Sequence, residues 1–358
     1  MNKRKINVLV NAYTANNLGD DMFVTLLCNH YPHIHFILNC SESFSQAFSH
    51  LPNITIISDY SKLDKNSIDF QIFIGGSLFM EPKDISKITS KFESVISCRL
   101  SHNIPFFVIG ANFGPYTNEL HLNLYRQWFG QLDGICFRDY QSFRQFQTLT
   151  NVMWAPDLIF HYPIPRYTHK TNNVTIVPIY NTKRIGLSDF SNELYHSFLA
   201  GVAHEYLKKG YTITLASFCE TQLDNIACEK VYNNIPNSYR QKVHFLFYKN
   251  DIDSFLEKFL STEFIIGTRF HSIILALKAK IPVFPIIYNQ KTSNVIKDYK
   301  FEGNCAHIMQ LNTLTFEDVD NNRQKGYTPN FSLYERLATL HFHYLNEALI
   351  TKEIFNEE

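Results

Sequence analysis

The feature that most constrains this chain is the alternation of short, uniformly apolar, β-rich runs with helix-length stretches. Ile6 to Val10, Ile34 to Leu38, Ile54 to Ile57, Phe70 to Ile74, Phe106 to Ile109 and Gly134 to Phe137 read as strands buried on both faces. Between them lie helix-length segments such as Asp20 to Tyr31, Ile85 to His102 and Leu120 to Phe129. Such spacing predicts an α/β fold with a mostly parallel, doubly wound sheet. A second set follows the Pro- and Thr-containing stretch Tyr162 to Asn173, which reads as a linker. Its strands are Val174 to Val177, Thr212 to Ala216, Val243 to Phe247, Phe264 to Ile266 and Val283 to Ile287, with helices near Ser191 to Lys209, Asp251 to Ser261 and Ser272 to Lys278.

A chain of 358 residues with 45% hydrophobic and 15% aromatic content is too long for one ordinary core. Two doubly wound domains are expected, at residues 1–165 and 172–310, with helices in 311–358 packing back on the first. Lys plus Arg and Asp plus Glu both count 33, so no overall field recruits nucleic acid or an acidic bilayer. The seven cysteines are odd in number and show no C-x-x-C spacing, which fits a reduced compartment better than disulfides or zinc. The apolar run after the basic start is too short for a secretory segment, and Ser272 to Ile287 is broken by Lys278, Lys280 and two prolines. A cytoplasmic protein with at most peripheral membrane contact is expected.

In open parallel sheets, ligands bind beyond the carboxyl ends of the strands. Asn11-Ala-Tyr-Thr-Ala-Asn16-Asn17-Leu-Gly-Asp20, Gly75-Gly76-Ser77, Gly110-Ala-Asn-Phe-Gly-Pro115 and Arg138-Asp139 fall there in the first half. Phe218-Cys-Glu220, Gly267-Thr-Arg269-Phe-His271 and Tyr288-Asn-Gln-Lys291 fall there in the second. Gly75-Gly76 reads equally as a tight turn or as a ligand contact. Asp20 reads as a helix cap or a functional acid, and Arg138-Asp139 as a capping ion pair or a cation site. Arg269 and His271 are harder to explain away, because a cation is misplaced at a helix N-terminus unless an anion binds there.

Other signals point to structure. Asp251-Ile-Asp253 reads as a helix start, His33 and His35 lie on a strand, and His341 and His343 project to different helix faces. Neither a P-loop nor a dinucleotide fingerprint is present, and no metal is expected.

The ordered set resembles the polysaccharide pyruvyl transferase family over roughly residues 6 to 300. It comprises the Asn11 to Asp20 loop, Gly75-Gly76-Ser77, Gly110 to Pro115, Arg138-Asp-Tyr-Gln-Ser142, Ala155-Pro-Asp157-Leu-Ile-Phe160, Gly267-Thr-Arg269-Phe-His271-Ser and Lys291. The first loop departs from the family pattern at Asn11, Thr14 and Asn16, and only one glycine pair precedes Ser77. The resemblance implies two Rossmann-like domains facing a cleft, GT-B-like, and pyruvyl transfer from phosphoenolpyruvate to a glycan or lipid-linked sugar at the inner face of the membrane.

The donor is a carboxylate with a phosphate, so several cations must converge on it, and Arg138, Arg269 and Lys291 are the expected set. His271 is the expected general acid, as the resemblance also implies. Asp20 is the expected catalytic partner, with Asn16, Asn17, Gly75, Gly76, Ser77 and Glu220 binding substrate. No cofactor is expected beyond phosphoenolpyruvate as donor substrate. The competing readings are a GT-B-type glycosyltransferase, for which Phe284 to Asp298 offers no Glu to hold a ribose, and a catalytically silent scaffold.

Overall fold

The computed structural model describes residues 5–97, 103–164, 172–182, 190–326 and 331–355. The expected linker lies mostly outside them, at 165–171. Contacts divide the chain into two compact units. The first holds Met1–Thr14, Asp20–His161 and Tyr334–Glu358, and the second holds Ala15–Gly19 and Tyr162–Leu333.

The first unit is built on a seven-stranded parallel sheet of β1 (Asn7–Asn11), β2 (His35–Asn39), β3 (Ile54–Ile57), β4 (Phe70–Ile74), β5 (Phe106–Ala111), β6 (Gly134–Phe137) and β7 (Val152–Trp154). Their order is β3-β2-β1-β4-β5-β6-β7. Every residue of β4, β5 and β6 is buried, as expected of parallel strands covered on both faces. The helices are α1 (Leu18–His30), α2 (Ile88–Ser97), α3 (Glu119–Phe129) and α4 (Tyr140–Phe146). The aromatic content gathers on one side of this sheet, where Phe73, Phe79, Tyr125, Trp128, Phe129 and Phe146 form one cluster. Edge-to-face pairs such as Phe129–Phe146, at 4.9 Å between centroids, hold it together.

The second unit repeats the winding with β8 (Asn173–Val177), β9 (Thr212–Ser217), β10 (Val243–Phe247), β11 (Phe264–Gly267), β12 (Val283–Ile287) and β13 (Ala306–His307), in the order β10-β9-β8-β11-β12-β13. Its helices are α5 (Asn192–Lys208), α6 (Asp224–Asn234), α7 (Ile252–Leu260), α8 (Phe270–Lys278), α9 (Gln290–Asp298) and α10 (Phe316–Lys325). Asp251 caps α7 by accepting from the Ser254 N–H at 3.0 Å, which accounts for the Asp251-Ile-Asp253 motif. α10 belongs to this unit, since Val319 joins its core and the buried Asp320 accepts from the Tyr206 hydroxyl at 2.8 Å. Both sheets carry a reversal of strand order at the middle, β1/β4 and β8/β11, the position at which ligands bind in open parallel sheets.

α11 (Ser332–Leu337) and α12 (His343–Phe355) close the chain, separated by the 3-10 turn Ala338–Phe342. From Tyr334 onward the chain packs with the first unit. The Tyr31 hydroxyl meets Asn346 Oδ1 at 2.6 Å, and Lys352 pairs with Asp69 at 3.0 Å. His341 is buried with Nε2 donating to the Pro156 carbonyl at 2.8 Å, whereas His343 stands half-exposed beside Glu347. Cys28, Cys40, Cys136, Cys219, Cys228 and Cys305 are free thiols, and Cys98 lies outside the described residues. No helix among the described residues is long and apolar enough to cross a membrane.

Burial pushes the His341 imidazole down to about 4, with the nearby Arg138 charge adding to the effect, while its hydrogen bonds oppose it. The folded chain therefore keeps this ring neutral where the unfolded chain protonates it. The stability it contributes is complete above its ordinary value of 6.5 and is lost as pH falls from there toward 4. Urea unfolding should show a loss of about 3 kcal/mol from this group over that window. His341→Gln should flatten the decline, and an unchanged pH dependence in that variant would rule the linkage out.

Candidate functional site

In the second unit the β11 carboxyl end runs through Thr268 and Arg269 into α8. Thr268 is fully buried, its hydroxyl 2.7 Å from the Tyr195 hydroxyl and its N–H on the Val177 carbonyl at 3.1 Å, so the turn is tied to β8 and α5. Arg269 precedes the helix, and its carbonyl accepts from the Ser272 hydroxyl at 2.6 Å. Its side chain points back into the protein. Nε donates to Asp224 Oδ2 at 2.7 Å, Nη2 donates to Asp224 Oδ1, and Nη1 donates to Gln222 Oε1 at 2.5 Å. Burial alone would lower the guanidinium, but the Asp224 carboxylate outweighs it and holds the charge more firmly than usual. The charge of Arg269 is thus matched by a fully buried partner within the same unit.

His271 is half-buried in the first turn of α8. Its ring lies edge-on to Phe270, with centroids 5.1 Å apart, and the Lys291 ammonium sits 5.5 Å from the centroid of the same Phe270 ring. Two expected functional groups, from the starts of α8 and α9, therefore meet one aromatic side chain. A cation in the first turn opposes the helix dipole, so both positions favour an anion nearby.

The loop Ala15–Gly19 belongs to this same unit. The Ala15 carbonyl accepts from Thr221 Oγ1 at 3.0 Å and from Cys219 Sγ at 3.7 Å, and the Leu18 N–H donates to the Phe218 carbonyl at 3.1 Å. Asn17 Oδ1 accepts from the Gly19 N–H at 3.2 Å. Asn16 takes a left-handed backbone at φ 49°, and its buried Oδ1 has no hydrogen-bond partner among the described residues. Asn16 and Asn17 were expected on the wall of the first domain. They stand instead with the second unit, because backbone bonds to the loop after β9 draw the segment there. Gly19 packs closely against His271, where an added Cβ would sit 1.6 Å from Nδ1. Glu220 is exposed in the short turn Glu220–Gln222.

In the first unit, Gly75-Gly76-Ser77 follows β4 at the strand-order reversal. Gly75 has φ +143°, and Asp20, nearly buried in the first turn of α1, lies beside it. Gly76 has no room for a side chain, since a Cβ would lie 2.4 Å from Arg138 Nη2. Each glycine thus has a structural reason, backbone conformation at Gly75 and close approach at Gly76. Arg138 was expected to grip the donor, yet its side chain is 1% exposed. Nη1 pairs with Asp157 at 3.1 Å, and Nη2 donates to Asn112 Oδ1 at 2.7 Å. Ser77 Oγ reaches the same Asn112 oxygen at 3.2 Å, and the Asn112 N–H donates to the Gly76 carbonyl at 2.8 Å. Arg138 therefore braces the turn from behind. Asp139 caps α4 through Ser142. Removing one member of such a buried pair costs about 3–5 kcal/mol, because the other charge is left uncompensated.

Reasoning from sequence missed Asp224, Gln222, Asn112 and Gly19. The last two lay inside quoted motifs. The first two lacked any motif signal.

Among known families, the sequence model of Polysaccharide pyruvyl transferase matches residues 15–290, more than half of the chain. The chain belongs to the polysaccharide pyruvyl transferase family. It is accordingly a transferase of polysaccharide biosynthesis. Among solved structures, this pyruvyl transferase is similar to the UDP-GlcNAc 2-epimerase of Methanocaldococcus jannaschii, in complex with UDP-GlcNAc and UDP. The TM-score is 0.55 at 10% identity, over 95% of this chain and 100% of that one. It is similar also to the wall teichoic acid polymerase TagF, with TM-score 0.51 at 10% identity, over 99% and 90% of the two chains. At such identity the likeness concerns the fold alone, which is that of two Rossmann-like domains.

The Gly19–His271 contact sets a sharp expectation for this family member. Gly19→Ala would drive a methyl group into the imidazole, and the ring must then move by an ångström or more. Turnover should fall by roughly 10², the usual consequence of a displacement of that size. The melting temperature should change little. Activity near that of the parent would show that the ring position is not needed.

Proposed function

We propose that this transferase takes phosphoenolpyruvate as donor and forms a pyruvyl ketal on two hydroxyls of a sugar in a surface polysaccharide or its lipid-linked precursor, releasing phosphate. The observation that carries the reading is the pairing of His271 and Lys291 against Phe270 at the starts of two helices, in a chain of this family. Helix N-termini and an ammonium suit a phosphate, and a partly exposed histidine beside them suits proton delivery.

His271 protonates the methylene carbon of the donor, and the neighbouring carbon becomes oxocarbenium-like. One sugar hydroxyl adds to that carbon and gives up its proton, for which Asp20 is the proposed acceptor. The carbon–oxygen bond to phosphate then breaks, phosphate leaving with the bonding pair and taking the proton held by Asp20, and the second hydroxyl adds and passes its proton to His271 as the ketal closes. Lys291 holds the phosphate, with Asn16 and Asn17 as further contacts on the His271 side. Gly75, Gly76, Ser77 and Glu220 serve the acceptor. Arg138 and Arg269 act through the groups they brace. The reaction needs no cofactor, and any contact with a membrane is peripheral, through a lipid-linked acceptor.

Phosphoenolpyruvate should raise the melting temperature where UDP and GDP do not, and a chelator should leave turnover unchanged. Stabilisation by UDP alone would favour a nucleotide-sugar donor instead. His271→Gln should keep donor affinity within several-fold while turnover falls by roughly 10² to 10⁴, the worth of a positioned acid. Lys291→Ala should weaken donor binding by about 1.5–3 kcal/mol, the value of a charge-assisted contact. Near-normal turnover in His271→Gln would remove this histidine from the proton transfer.

A further inference from the structure

Asp224 meets Arg269 through both carboxylate oxygens, and it does so while fully buried. Its Oδ2 also accepts from the Cys219 N–H at 3.1 Å, so the same group ties down the loop after β9. That loop is the one whose Thr221 and Cys219 hold the Ala15 carbonyl. Gln222, from the same loop, takes the third contact of the guanidinium. A single carboxylate thus connects the turn that presents His271 to the loop that holds the Ala15–Gly19 segment against it.

The charge arrangement is as specific as the geometry. Arg269 stands two residues before His271, at a helix start that already attracts anions. A free guanidinium there would add a full positive charge to whatever binds. Paired with Asp224, it adds almost none.

We propose that Asp224 is a positioning residue of the donor site, acting through Arg269: it fixes the turn that carries His271 and cancels the arginine's charge, so that phosphate is held loosely enough to leave. The inference rests on the proposed function for the identity of the anion. Its test does not depend on turnover.

Inorganic phosphate is the probe, with affinities measured by titration calorimetry for the parent, Asp224→Asn, Arg269→Gln and the double variant. Charge cancellation predicts a definite order. Asp224→Asn uncovers the arginine and should bind phosphate about fivefold tighter, the scale of one added charge near a partly solvated anion. Arg269→Gln uncovers the carboxylate and should bind more weakly than the parent. The double variant restores a neutral, hydrogen-bonded pair and should return close to the parent. A pair that only supported the fold would weaken binding in every variant.

Turnover adds a second readout. In Asp224→Asn, kcat should fall at least about tenfold while KM for phosphoenolpyruvate stays level or falls, as expected when ground-state binding rises without transition-state gain. Phosphate binding by Asp224→Asn no tighter than by the parent would overturn the proposal, and so would an absence of phosphate binding in all four proteins. Should Asp224→Asn fail to fold, the double variant must still bind more tightly than Arg269→Gln, and equality of those two would overturn it as well. A parent protein that binds phosphate in the expected order but never consumes phosphoenolpyruvate would sink the proposed function and leave this inference standing.

Discussion

A buried arginine paired with a buried aspartate stands at the carboxyl edge of each sheet, and the local geometry of both units depends on it. Arg138 with Asp157 braces the Gly75–Ser77 turn, and Arg269 with Asp224 braces the start of α8. Neither pair is a strong net stabiliser, because bringing two charges out of water costs several kcal/mol that their attraction only roughly offsets. What each pair supplies is definition. A guanidinium gripped through two or three directions fixes the backbone that carries it, and the neighbouring residues inherit that fixity.

The consequences spread outward through close approach. Because the Arg138 fork fills the space behind Gly76, that position admits no side chain, and Asn112 is drawn in to share the same polar cluster. Because the α8 turn is fixed, His271 occupies a place that only Gly19 can face. Glycines that look like turn punctuation in the sequence are spaces left for particular side chains. The parallel winding explains why these spaces sit where they do: helices that follow parallel strands all begin at the same edge, so their N-termini, with unpaired N–H groups and positive dipole ends, collect there.

Much of the scaffold was legible in the sequence because parallel strands buried on both faces leave continuous apolar runs. Although the edge strands β3 and β10 are only partly buried, eleven strands read as apolar or β-rich runs. β7 and β13 do not, since three and two residues are too few to register as a pattern. Ile85 to His102 reads as one helix, yet Ile85–Lys87 forms a 3-10 turn capped by Asp84 before α2 begins. Leu333 to Phe355 has helical periodicity, and periodicity alone does not register the 3-10 turn at Ala338–Phe342 that divides it. The site was legible as a set of residue types at strand ends. Its pairing was not, because Asp157 and Asp224 stand 19 and 45 residues from their arginines and no local pattern links them. Nor could chain position reveal that Ala15–Gly19, read from the first domain, is bonded into the second unit.

An arginine in a motif invites the reading that it binds the ligand, and here both arginines bind the protein. On the proposed chemistry this has a reason. Phosphoenolpyruvate and the departing phosphate share the same anionic group, so a site with three uncovered cations would hold substrate and product alike, and such uniform binding adds nothing to the chemical step. On the same proposed chemistry, a site whose arginines are paired internally holds the group more weakly. Compensating an arginine internally keeps its rigid fork as scaffold while withdrawing its charge from the ligand. On that reading Asp224 is as much a part of the proposed donor site as the histidine whose turn it helps to fix.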